Sequence, residues 1–184
     1  MKKILIGIAV VVILGALYGV SVYNSVVTQG QAVDSQWAKV ESSLQRRFDL
    51  IPNLVNSVKG TLKQEQAIFT AIAEARTQYA GATTLADKSA AASQMETGLG
   101  RLIAIVENYP VLKSSEAVQT LMTQLEGSEN RINTERGRYN EFVQGYNTLV
   151  VRFPGSMFAK MYGFTAKEYF QADKAAAVVP SVNL

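Results

Sequence analysis

The sequence predicts an all-α fold: a single N-terminal transmembrane helix, a long antiparallel up-and-down four-helix bundle, and a short C-terminal helix. Three observations carry this. Residues 4–22 are apolar apart from small residues, Tyr18 and Ser21, and as a helix they would cross the ~30 Å hydrocarbon core of a bilayer. Beyond them, apolar residues recur at alternating steps of four and three, the seam of a packed helix, and no stretch shows strand alternation. The seams are interrupted at proline, glycine and threonine.

The anchor occupies residues 1–23. Lys2 and Lys3 precede it, the next charge is Asp34, and Lys39 is the first basic residue beyond. The positive-inside bias therefore puts the N-terminus in the cytoplasm and the bundle on the periplasmic or extracellular side. A cleaved signal peptide also begins with lysines and an apolar run. This run is too long for one, and its best small-residue pair, Gly19 and Ser21, falls at its very end. The expectation is an uncleaved, single-pass anchor in the cell inner (cytoplasmic) membrane. Gly15 and Gly19, with Gly7 two turns earlier, offer a face for a second anchor helix.

Residues 24–155 form the expected bundle. Val33, Trp37, Val40, Leu44 and Arg47 make the first seam, with Gly30 as its expected hinge. A chain reversal is expected at Asp49 and Pro52, because proline lacks an N–H and suits a first turn, which Asp49 is placed to cap. Leu54, Val58, Leu62, Glu65, Phe69, Ile72, Arg76 and Tyr79 continue the seam until residues 81–84 break it. Thr84-Leu85-Ala86-Asp87 is a capping-box-like start for a third helix with Met95, Leu99, Leu102, Ile103 and Val106, which Tyr109-Pro110 ends. A fourth helix should start near Ser114 or Ser115 and run through Val118, Leu125, Ile132, Tyr139, Val143, Tyr146 and Val150 to Phe153-Pro154-Gly155. Residues 156–184 are read as an aromatic membrane-proximal segment, with a second capping-box-like Thr165-Ala166-Lys167-Glu168, and then a loosely ordered tail containing Pro180.

Composition excludes several chemistries. Without histidine or cysteine there is no Ser-His-Asp or Cys-His pair, no imidazole or thiolate metal site and no disulfide. Setting aside Lys2 and Lys3 leaves 16 of the 18 basic residues against 15 acidic ones, which is no footprint for nucleic acid. No cofactor is expected.

Arg47-Phe48-Asp49-Leu50-Ile51-Pro52-Asn53-Leu54-Val55 with Lys59, then Glu107-Asn108-Tyr109-Pro110, then Glu129-Asn130-Arg131-Ile132 leading into Arg136-Gly137-Arg138-Tyr139-Asn140, then Tyr146-Asn147 and Phe153-Pro154, resemble the LemA family of bacterial membrane proteins. The resemblance spans residues 23–164, and the chain beyond Asp173 lies outside it. It implies one N-terminal membrane helix and a long antiparallel bundle. It also implies a link to envelope stress and membrane-bound proteases, with no family catalytic residue to carry over.

Arg47, Glu65, Arg76, Glu129 and Arg136 fall where the seams ask for apolar residues. Buried charges must pair, so this polar seam is expected to hold inter-helix ion pairs. Counting ~1.5 Å per residue along antiparallel helices sets Glu65, Arg101 and Glu129 at similar heights, so Arg101 is expected to reach one or both carboxylates. Phe158, Met161, Tyr162 and Phe164, with Lys160 and Lys167 interleaved, are candidates for membrane contact or for closing the end of the bundle. The expected function is a non-enzymatic, oligomeric scaffold or adaptor of the bacterial envelope. The alternatives are a ligand- or lipid-binding sensor using the seam charges and aromatic segment, and a membrane-remodelling oligomer.

Overall fold

The computed structural model describes residues 2–170, among which every regular element is a helix. The expected tail beyond them lies outside the described residues. The helices are α1 (Lys2–Val58), α2 (Gln66–Gly81), α3 (Leu85–Glu107), α4 (Pro110–Lys113), α5 (Glu116–Val151) and α6 (Gly155–Met161). The described residues divide into two compact units: one is residues 2–39 with Gly137–Tyr169, the other Val40–Arg136 with Phe170.

The unit built on Val40–Arg136 is a four-helix arrangement of the later part of α1, α2, α3 and the earlier part of α5. The reversal expected at Asp49 and Pro52 is absent: α1 runs through Pro52 to Val58. A proline inside a helix costs about 3 kcal/mol. Phe48, Ile51, Leu54 and Val58 are all buried on one face of that segment, and burying such side chains contributes about 1.5–3 kcal/mol each, so burial wins. Asp49 is exposed and accepts from Gln45 Nε2 at 2.9 Å one turn earlier, which is no cap. The chain turns instead between Val58 and Glu65, with Leu62 buried in the turn and its N–H bonded to the Val58 carbonyl at 3.0 Å.

α2 buries Ile72 and Ala75, one position away from the expected Arg76. The small side chain suits close approach to α3, where a Cβ added at Gly98 would stand 3.1 Å from Ile72 Cγ1. Phe48 and Tyr79 rings meet at 4.4 Å between centroids and join α1 to α2. α3 starts where the sequence sets it: Thr84 is the N-cap and its Oγ1 accepts from the Asp87 N–H at 3.1 Å. Pro110 occupies the first turn of α4, and α5 opens at Glu116.

In the other unit the first part of α1 and the last part of α5 run antiparallel. Trp37 stacks edge-on against Tyr139 at 5.5 Å, and a Cβ at Gly30 would lie 3.5 Å from the Tyr146 ring. Gly30, the expected hinge, is thus a seat for Tyr146 inside an unbroken helix. After α5 the chain enters α6 at Gly155, where a Cβ would stand 2.8 Å from the Leu149 carbonyl oxygen, and leaves it at Gly163, whose φ of 79° favours glycine. The capping-box-like Thr165–Glu168 starts no helix; residues 164–170 are non-helical.

Candidate functional site

In the Val40–Arg136 unit the polar seam gathers around Glu129. Arg47 on α1 and Glu129 on α5 form an ion pair, with the Arg47 side chain only 9% exposed, and Asn133 Nδ2 donates to the other Glu129 oxygen at 2.9 Å. Arg136, one of the expected seam residues, lies 3.8 Å from Glu96 on α3 and stacks on the Phe170 ring at 4.2 Å. Burial lowers the pKa of the Arg136 guanidinium, Glu96 and Glu129 oppose that shift, and Arg47 adds to it. Lys88 and Glu41 join α3 to α1. Beside them, burial first and the Glu41 charge second push the Tyr79 phenol up to about 12.

The remaining expected seam residues stand elsewhere. Arg101 is exposed, because Leu99, Leu102 and Val106 face inward and Arg101 falls on the opposite side of α3. Glu65 is half-buried at the N-cap of α2, and Arg76 is exposed. Arg47, rather than Arg101, therefore holds Glu129. Glu96, Glu41 and Lys88 were missed because each flanks a seam; their one signal was a position next to a buried residue.

A cleft of ≈ 710 Å³ is walled by Leu99, Ile103, Val106, Met122 and Leu125, with Arg47 and Glu129 also lining it. Arg47 Nε is buried without a hydrogen-bond partner. Among the described residues no group of three or more His, Cys, Asp or Glu could hold a metal ion.

The other unit carries a clamp on non-helical backbone. Asn147 Oδ1 accepts from the Lys167 N–H at 2.8 Å while Asn147 Nδ2 donates to the Lys167 carbonyl at 2.9 Å. The Tyr139 hydroxyl donates to the Glu168 carbonyl at 3.0 Å, and its pKa is raised by burial, then by Asp34 and Glu168. Lys167, a candidate for lipid contact, instead pairs with Asp34 and lies 5.6 Å from the Tyr146 ring centroid. Phe158 packs on Tyr18 and on Gly19, where a Cβ would meet its ring at 3.0 Å. The chain's own Phe158 thus covers Gly19, whereas a Cβ at Gly15 would meet nothing within 4 Å. Tyr162 and Phe164 both pack on Tyr23.

These features define a class: an all-α protein whose first helix is long and apolar enough to cross a membrane, joined to a helical bundle with paired charges in its seam. The chain belongs to the LemA family, whose model matches residues 36–184, including the stretch beyond Asp173 that the sequence reading left outside the resemblance. It is similar to the magnetosome proteins MamQ 2 and MamQ 1 of Paramagnetospirillum magneticum, each 29% identical over 187 aligned positions that cover 88% of this chain and 68% of the relative. MamQ of Magnetospirillum gryphiswaldense is 28% identical with the same coverage.

Proposed function

We propose that this chain is a membrane-anchored, non-enzymatic scaffold of the bacterial envelope. In this reading α1 crosses the cytoplasmic membrane with Lys2 and Lys3 inside. The bundle, on the outer side, works as a homo-oligomer that engages a membrane-bound protease or another envelope protein. The observation that carries it is a contrast in how surfaces are satisfied. The seam charges Arg47, Glu129 and Arg136 find partners within one protomer, while the apolar side chains from Ile4 to Leu17 are left uncovered. Paired charges fix helix register. The MamQ relatives carry a name that assigns them to a structure rather than to a reaction, which fits a scaffold. Open space at Gly7 and Gly15 leaves room for a second anchor helix.

Crosslinking of the full chain in intact membranes, with neighbours identified by mass spectrometry, tests this. The scaffold reading expects the same chain and a defined membrane protein among the products; a chain that crosslinks to neither is no scaffold. The cleft supports a second reading. The buried, unpartnered Arg47 Nε, in a cleft that Lys113, Gln119 and Glu126 line together with the apolar side chains, suits a small ligand with an oxygen acceptor. Loss of a co-purifying ligand in Arg47→Met, with the crosslinked neighbours unchanged, would favour that sensor.

A further inference from the structure

Of the membrane-contact candidates the sequence singles out, Lys160, Met161 and Tyr162 are exposed. Phe158 and Phe164 turn inward onto α1, whereas Val151 (68% exposed), Phe153 (74%), Met157 (63%) and Met161 (67%) turn outward. On α6, Ala159 is fully buried, and Met157, Lys160 and Met161 share the opposite, exposed side. Large apolar side chains clustered in the open mark a contact surface.

Where α6 sits relative to the anchor says what covers it. At ~1.5 Å per residue, α1 from Ile4 to Tyr23 spans ~30 Å, the thickness of a hydrocarbon core. With Lys2 and Lys3 at one face of the bilayer, the other face falls near Tyr23. α6 and the turn after it are seated on Tyr18, Gly19 and Tyr23: Tyr18 to Phe158 is 5.6 Å and Tyr23 to Tyr162 is 5.2 Å between ring centroids. Tyrosines at this level match the aromatic belts of membrane proteins. From Arg152 to Ala166 the chain holds Arg152 and Lys160 and no carboxylate, so the local charge favours anionic headgroups.

We propose that α6 is a second membrane-contacting element, dipping Phe153, Met157 and Met161 into the outer leaflet of a bilayer with anionic headgroups while Arg152 and Lys160 stay at headgroup level. This rests on the reading of α1 as a membrane anchor. Gly19, Tyr18 and Tyr23 then form a socket that fixes how deep α6 lies, since Phe158 locks the short helix to the spanning one.

The chain has no cysteine, so single-cysteine variants of the full chain take one nitroxide each. Met157→Cys, Met161→Cys, Val11→Cys and Ser42→Cys would be reconstituted in vesicles of phosphatidylcholine and phosphatidylglycerol. Collisions with oxygen and with a neutral nickel chelate would be compared. The expected oxygen-to-nickel ratio at 157 and 161 is several-fold above that at 42 and below that at 11. A ratio at 157 and 161 equal to that at 42 overturns the proposal and leaves the anchor intact. Suppression of both collisions means that protein covers α6, and overturns it too. Nickel access at 11 sinks the anchor reading and this proposal together.

Discussion

The two units solve the problem of inward polar groups in opposite ways. In the Val40–Arg136 unit, charged side chains meet charged side chains across helices, as with Arg47 and Glu129 or Lys88 and Glu41. In the other, neutral side chains of α5 hold backbone: Asn147 takes both polar groups of Lys167, and Tyr139 takes the Glu168 carbonyl. The ion pairs set register between helices that would form anyway. The amide clamp fixes a stretch with no hydrogen-bonded ladder of its own, so its removal should loosen a segment rather than a bundle.

Breaking the charged side of this comparison should have the largest effect. Glu129→Ala leaves Arg47, already short of one partner at Nε, as a buried cation without a carboxylate. The cost should be on the order of 2–4 kcal/mol in denaturant unfolding. The double variant Arg47→Met with Glu129→Leu should recover much of that loss, since apolar replacement of a buried pair is often nearly neutral. Glu129→Ala with an unchanged midpoint would mean the seam pair contributes nothing.

Next in size is the clamp. Asn147→Ala removes two hydrogen bonds and should cost about 1–3 kcal/mol locally. It should appear as faster amide exchange at residues 164–169, with exchange in α2 and α3 unaltered. Equal acceleration in both units would erase the distinction drawn between them.

How much of this was legible in the sequence depends on how local the determinant is. Thr84 marked the start of α3, and Ser114 or Ser115 that of α5, because capping acts within a few residues, and a helix long and apolar enough to cross a membrane was legible because length and apolarity suffice. Pro52 misled because a local breaker was overruled by four buried side chains on the same face. Arg76 misled for a related reason: where Ala75 permits close packing, the inward face slips by a position that a four-three count tolerates. Arg101 misled because a height count ignores helix phase: it lies away from Leu99, Leu102 and Val106, which face inward as their spacing sets them. The clamp on Lys167 was beyond reach, because it joins a side chain to backbone and has no period. Tyr139 and Tyr146 were read as buried seam residues, and they are.

A smaller effect comes from pH. The folded-state pKa of Tyr79 is raised to about 12, above its ordinary value of 10.0, so its contribution to stability is intact below pH ~10 and is lost as pH rises from there toward 12. The urea midpoint should fall through that window, and Tyr79→Phe should flatten the fall. An identical slope in Tyr79→Phe would assign the titration to other groups.

Smallest of all should be Lys167→Gln. Its partner Asp34 is 62% exposed at the side chain, so the pair is worth at most about 1 kcal/mol and less in high salt. If Lys167→Gln cost more than Asn147→Ala, charge rather than the amide clamp would hold the segment after α6.

The central claim, an anchored bundle on the outer side of the cytoplasmic membrane, is tested most directly by labelling. Ser42 is exposed although its neighbour Ser43 is buried. In spheroplasts carrying the full chain, Ser42→Cys should react with a membrane-impermeant maleimide without lysis, and Lys2→Cys only after lysis. Labelling of Lys2→Cys in intact spheroplasts with protection of Ser42→Cys would contradict the orientation, and labelling of both before lysis would contradict the anchor itself.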